Sequence, residues 1–254
     1  EKKKLKYKKQ MGTVVRMKLL CEKKFWCVIG IFFYVSYVFR INEEYCYENV
    51  FAGVKFNGDV IFYAGILLLF GLVLFYLFMD TEKYINGYGV LYVTRHRKRS
   101  RVAVNIILNQ IKGISQMIFF VLLIYFMCAG IFGMKAVKTD ITQFIYYVVI
   151  FYLVCLNLSL WEAIFEIIFD ARIAIVIEMV ILMLHIFAGE MIYAYEKSRY
   201  LYLLCYTNIA MTIRNEMINL PKFMVITVLV LYALIKAVLI VAVYGKKDII
   251  QENS

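Results

Sequence analysis

The chain has 254 residues, 63% of them hydrophobic, and a formal net charge of +11. An ordinary soluble domain is about half apolar; here the excess falls in runs of membrane-crossing length, about 20 residues each, which excludes a soluble globular fold. Ten basic residues precede Trp26 and five more lie between Arg95 and Arg101, so the charge reads as topology and headgroup contact, not nucleic-acid binding.

The pattern predicts an all-α polytopic membrane protein of one domain, residues 1–254, with six transmembrane helices, both termini cytoplasmic and no linker. Residues 1–24 form a cytoplasmic basic segment, residues 25–244 the six-helix membrane region and residues 245–254 a cytoplasmic tail. In the first segment Met11, Val14, Val15 and Leu19 share one helical face, which predicts a short interfacial helix. Lys18 falls on that face and fits it only by extending its stem along the apolar surface.

The first span is expected over Phe25–Ile41, with Trp26 as interfacial anchor. The acidic segment Asn42–Asp59 follows on the outside, and the second span, Val60–Met79, carries no charge before its end. Asp80–Arg101 is the longest polar interval between membrane-length runs and, with its basic cluster, is placed in the cytoplasm. Val102–Gly133 is too long for one perpendicular span. Asn105, Asn109 and Gln110 predict an interfacial lead-in, with the third span starting near Ile114.

A short outer turn, Met134–Asp140, precedes the fourth span, which runs from Ile141 to near Trp161. A cytoplasmic extension then carries Glu162, Glu166 and Asp170 at i, i+4, i+8, one acidic stripe. The fifth span has its core over Ala174–Phe187. Glu190–Asn219 is the longest outer segment, and its tyrosines (193, 195, 200, 202 and 206) suit a re-entrant or surface helix. Asn219, Leu220 and Pro221 read as a helix start for the sixth span, Phe223–Tyr244. Basic residues in the inner segments of this scheme outnumber those in the outer segments by more than two to one, as the positive-inside rule requires.

No GxxxxGK[ST] phosphate loop, HExxH or GxSxG motif occurs, and no catalytic, cofactor-binding or metal site is expected. The six cysteines show no CxxC spacing, His96 and His185 lie apart, and the Glu43–Glu44 pair lacks the arginine a CAAX-type protease would place after it. A charge inside a span costs roughly 3 kcal/mol near its centre, so Glu178 and Lys236 need an account. Their expected heights differ by only about 6 Å at about 1.5 Å per residue, which predicts a buried charge pair between the fifth and sixth spans. In the cytoplasmic loop Tyr84, Tyr88, Leu91 and Tyr92 follow i, i+4, i+7, i+8 spacing, while Gly87 and Gly89 oppose a regular helix. A broken helix fits both.

Taken together the chain resembles a permease subunit of the ABC-2 transporter type, of the small kind that serves peptide or bacteriocin export and immunity. The resemblance rests on the amphipathic start, the six spans, the aromatic outer segment and the terminal Lys246-Lys247-Asp248-Ile249-Ile250. Its most telling part is Gly89-Val90-Leu91-Tyr92-Val93-Thr94-Arg95, with Arg99-Ser100-Arg101 before the third span. It implies a dimer with a second copy or a homologous permease in the cell (plasma) membrane, each subunit docked on a separate ABC ATPase subunit that binds ATP and Mg. Tyr84, Tyr88, Gly89, Leu91, Tyr92 and Arg95 would then make the ATPase coupling, with no cofactor on this chain. Spans two and five would line the route of an amphipathic peptide, with Phe62, Phe70, Phe75, Met179 and Met183 as candidates. Two other readings stand beside it: an intramembrane enzyme, protease or lipid-modifying, and a non-transporting immunity or scaffold protein.

Overall fold

The computed structural model describes residues 23–41, 47, 49–89, 99–133, 135–195 and 200–246. Among them all regular structure is helical, with no strand. The order is α1 (Lys23–Ile41), a one-turn α2 (Asn49–Ala52), α3 (Val60–Leu77), then α4 (Asp80–Tyr84), which runs into a π-helical turn (Ile85–Gly89). Then come α5 (Arg99–Ile131), α6 (Ile141–Ile168), α7 (Ala171–Ala194), a 3-10 turn (Leu201–Leu204), α8 (Tyr206–Ile209), α9 (Thr212–Met217) and α10 (Lys222–Lys246). The interfacial helix expected over residues 11–19 lies outside the described residues.

Five helices are long and apolar enough to cross a membrane: the stretch Val60–Gly87, α5, α6, α7 and the Lys222–Gly245 part of α10. Helices are the form such runs must take, because hydrocarbon offers no partner for a backbone N–H or C=O and a helix satisfies both internally. The 19 residues of α1 occupy the position expected of the first span. At about 1.5 Å per residue they measure about 28 Å.

α6 is the central element and packs against α3, α5, α7 and α10, while α1 covers α3 and α5. Ile150, Val154, Cys155 and Leu158 of α6 are fully buried. The expected lead-in and the run from Ile114 form one helix: α5 has 33 residues. That is about 50 Å of rise, well beyond the roughly 30 Å of a hydrocarbon core. Polar residues do not stop a helix when they have partners or solvent. Gln110, buried, donates to Thr81 Oγ1 at 2.9 Å, and Asn109 is exposed.

At one end of the bundle, the cap end, α3 and α10 begin and α7 finishes. An aromatic cluster closes it: Tyr47 stacks on Tyr125 at 4.5 Å and donates to the Tyr125 carbonyl at 3.0 Å, and Phe51 packs on Tyr125 at 5.0 Å. Burial pushes the Tyr47 phenol up to about 12, so it stays a donor at any physiological pH. The segment after α7 folds inward as short helices. Tyr202, Tyr206, Ile209 and Met211 are buried there, and Tyr232, ten residues into α10, donates to the Leu203 carbonyl at 3.3 Å. The chain around Tyr206 therefore packs beside α10 about ten residues in from its start. Gly53 permits this closure. It sits at φ +82°, and a Cβ there would lie 2.7 Å from Met211 Cα, so both its conformation and its lack of a side chain are required.

At the opposite end, the lever end, α3 stops at an extended Phe78 followed by Met79 in the left-handed region at φ 66°. The helix restarts as α4 and its π turn, so the break falls at Phe78–Met79 and not at the expected Gly87 and Gly89, which lie within the π turn or at its end.

Candidate functional site

Three polar constellations are built into the apolar bundle. The first lies between α6, α7, α8 and α10. Lys236 is 3% exposed and donates to the Asn157 carbonyl at 3.1 Å and to Asn157 Oδ1 at 2.9 Å. Its ammonium stands 4.0 Å from the Tyr206 ring centroid, with Trp161 at 5.3 Å and Tyr232 at 5.9 Å, a cage of aromatic faces of the kind that attracts cations. The Asn157 amide donates in turn to the carbonyls of Leu153 at 2.9 Å and Leu229 at 3.0 Å, which ties α6 to α10. Glu178 of α7 is fully buried and interacts electrostatically with Lys236, but neither of its oxygens has a hydrogen-bond partner and no ion pair joins the two. His185, seven residues further along α7, meets Tyr206 edge-on at 4.9 Å.

The second constellation organises the cap end around Arg214, a fully buried side chain on α9. Its Nε donates to the Val54 carbonyl at 3.0 Å, Nη1 to Asn208 Oδ1 at 2.8 Å, and Nη2 to Tyr63 OH at 2.7 Å and Glu190 Oε1 at 2.5 Å. The guanidinium lies over the rings of Phe56 at 4.7 Å and Tyr63 at 5.1 Å. Glu190 also accepts from the Tyr63 hydroxyl and from the Asn57 N–H at 3.3 Å, and Asn208 donates to the His185 carbonyl. One planar fork with five donors thus fastens α3, α7, α9 and the Val54 strand of loop together. The approach of α8 to α7 depends on Gly189, where a Cβ would fall 2.3 Å from Asn208 Nδ2.

The third is at the lever end. Glu166 of α6, 2% exposed, accepts from the backbone N–H of Met79 at 2.7 Å and of Glu82 at 2.9 Å, which caps the start of α4. Glu82 then accepts from the Ala171 N–H at 3.3 Å, at the first turn of α7. Asp170 caps the same turn through the Arg172 N–H at 3.3 Å. Carboxylates belong at such ends, where unpaired N–H groups and the helix dipole favour negative charge. Beside them opens a cleft of about 390 Å³ lined by Glu82, Ile85, Asn86, Glu166, Ile168, Phe169 and Asp170.

A protein-family profile described as "Protein of unknown function (DUF2705)" matches residues 15–250. The chain belongs to the DUF2705 family. No curated protein and no solved structure matches it.

In this DUF2705 chain the residues named from sequence fall as follows. Glu178 and Lys236 come to one buried centre, with Asn157 rather than Glu178 bonding the lysine. Of the coupling set, Tyr84 is half-buried in α4 beside the buried Ile85, and Tyr88 and Gly89 belong to the π turn. Leu91, Tyr92 and Arg95 lie outside the described residues. Phe62 and Phe70 are buried in the core, Phe70 stacking on Phe151 at 6.1 Å, whereas Phe75 and Met183 are exposed on the bundle surface. Met179 closes on α3, its Cε 3.0 Å from where a Gly71 Cβ would be. Among the described residues no group of three or more metal-ligating side chains comes together.

Sequence reasoning missed Arg214, Asn157 and the capping role of Glu166. Only Glu166 left a signal, as a member of the acidic stripe; the others depend on partners far away in the chain.

Proposed function

We propose that this chain is the membrane-spanning permease subunit of an exporter driven by a separate ABC ATPase, moving amphipathic or antimicrobial peptides. The observation that carries the reading is the lever end. A short broken helix, Asp80–Gly89, leaves the membrane run α3 through a left-handed Met79 and is bonded through Glu166 and Glu82 to α6 and to the start of α7. A force on this segment is delivered to three membrane helices at once, which is what a subunit worked by a soluble motor needs. The adjoining cleft offers room for a partner's side chains. The residues that follow, Leu91 to Arg95, carry the resemblance to the coupling loop of the ABC-2 type. A second copy or a homologous permease completes the transporter on this reading.

The same reading takes α1 as the first of six spans, both termini as cytoplasmic and the lever end as the inner face of the cell membrane. The surplus of Lys and Arg in segments at that end supports it. Single cysteines at Lys55 or Lys197 are then expected to react with an impermeant reagent from outside. Those at Lys98 or Lys247 should react only after permeabilisation. Outside labelling at Lys98 would reverse the whole orientation.

Coupling is tested by placing aspartate at Tyr88 and Leu91 together. The expected result is a protein that still inserts, no longer copurifies with its ATPase and no longer stimulates ATP hydrolysis. Unchanged association of the ATPase would sink the coupling role of the loop.

A further inference from the structure

The polar centre contains a lysine that is satisfied and an acid that is not. Two of the three Lys236 N–H donors go to Asn157, at 3.1 Å and 2.9 Å, and the ammonium faces the Tyr206 ring at 4.0 Å with Trp161 and Tyr232 behind it. Uncharged groups and π faces thus meet the needs of the cation. Glu178 is fully buried with both oxygens unbonded. As an ion it would be a carboxylate without one donor in an apolar wall, the most costly state available to it. As an acid it carries its own proton and requires none. Moving the lysine's proton onto an ionised Glu178, to leave a neutral lysine beside a neutral acid, would satisfy the carboxyl but remove the cation from three rings.

We infer that Glu178 is a proton-binding site sealed within the helix bundle, holding its proton beside a charged Lys236 and not in an ion pair with it. The groups that interact with it are Lys236 from α10, Tyr206 from α8 and, toward the lever end, Glu166 from α6; Tyr232 lies behind Lys236 and His185 behind Tyr206. Lys236 is the one cation in that set, and it is anchored to Asn157. The proton therefore exchanges with water only when α7 parts from α10 or when the Tyr206 segment withdraws, which links proton occupancy to the arrangement of the helices. The inference stands on this geometry alone and does not require the transport reading.

Infrared spectroscopy of the purified full chain in lipid nanodiscs at neutral pH tests it. The wild-type spectrum minus that of Glu178→Gln is expected to show a carboxylic-acid C=O band at the high-frequency end, as befits an acid without hydrogen-bond partners. Glu178→Asp should move the band without removing it. Because a neutral amide replaces a neutral acid of the same shape, Glu178→Gln is also expected to fold and to insert at wild-type yield. A difference spectrum with carboxylate stretching bands and no acid C=O band would show Glu178 ionised and overturn the inference. So would failure of Glu178→Gln to fold, since that is the outcome of stripping a counter-ion from Lys236.

Discussion

Leucine at Arg214 is expected to lower stability by about 3 kcal/mol, the low end of what removing one partner of a buried ion pair costs. The low end applies because Glu190 is 24% exposed and keeps some water when its partner is gone. The remaining loss is in hydrogen bonds: the Val54 carbonyl, Asn208 Oδ1 and the Tyr63 hydroxyl all lose a charged donor. Val54 and Asn208 are fully buried, and an orphaned polar group inside a protein costs about 1–3 kcal/mol unless it finds another partner. The half-buried Tyr63 hydroxyl keeps its bond to the Lys55 carbonyl. Lysine at the same position should recover only part of the loss, because an ammonium on a flexible stem cannot span four acceptors on three helices and a loop as the guanidinium fork does. Glu190→Gln should be mildest, since its amide oxygen still accepts from Arg214. Thermal or chemical unfolding of the three variants in one detergent should rank them in that order. If leucine at Arg214 changes stability by less than about 0.5 kcal/mol, the value ordinary for a surface site, the cap is not held by this residue.

What the sequence revealed and what it hid follow from the range of the interactions. Charge-free runs such as Val60–Leu77 mark their own helices, because the bilayer constraint acts within one segment. The length of α5 was hidden for a related reason. Asn105 and Asn109 lower hydropathy without breaking a helix, so polarity marks where the strongly apolar part of α5 begins and not where the helix does. Glu178 and Lys236 were found because an intramembrane charge is costly wherever its partner lies. Depth along two helices located both at nearly one level, but nothing in that reasoning could show that Asn157 would take the lysine's hydrogen bonds. Tyr206 was assigned to an outer segment, and only the inward fold of the chain after α7 brings its ring over Lys236. Arg214 illustrates the limit most clearly. In sequence it is one basic residue in a polar stretch, and such residues usually sit in water. Its partners Tyr63 and Val54 are 151 and 160 positions away, and without them its burial has no local cause.

Alanine at Glu166 is expected to free the lever end while leaving the rest of the fold in place. Glu166 supplies both acceptors for the Met79 and Glu82 N–H groups, at 2.7 Å and 2.9 Å. Hydrogen bonds to a charged group contribute about 1.5–3 kcal/mol each, so amide exchange at those two positions should accelerate on the order of 10- to 100-fold, at about 1.4 kcal/mol per factor of ten. Exchange at Ala171 should rise less, because Glu82 is displaced from it only indirectly. Amides of the cap end, such as Gly53 and Leu220, which are bonded to the Asn49 and Asn215 carbonyls, should keep wild-type protection. Glutamine at Glu166 offers one acceptor and one donor to two donors, and should fall between wild type and alanine. Met79 stands in the left-handed region just before α4. Glu166 is therefore the main tie that holds α4 and its π turn in register with α6, and its removal separates docking from transmission. A partner engaging Tyr88 and the residues after it should still bind the alanine variant, whereas motion of that segment would no longer reach α6 and α7. A variant that binds its ATPase at wild-type affinity yet loses most stimulated hydrolysis and transport would place Glu166 in the linkage. Unchanged exchange at Met79 and Glu82 would show that α4 is held by other contacts, the packing of Ile85 and the Gln110–Thr81 bond among them, and that the carboxylate transmits nothing.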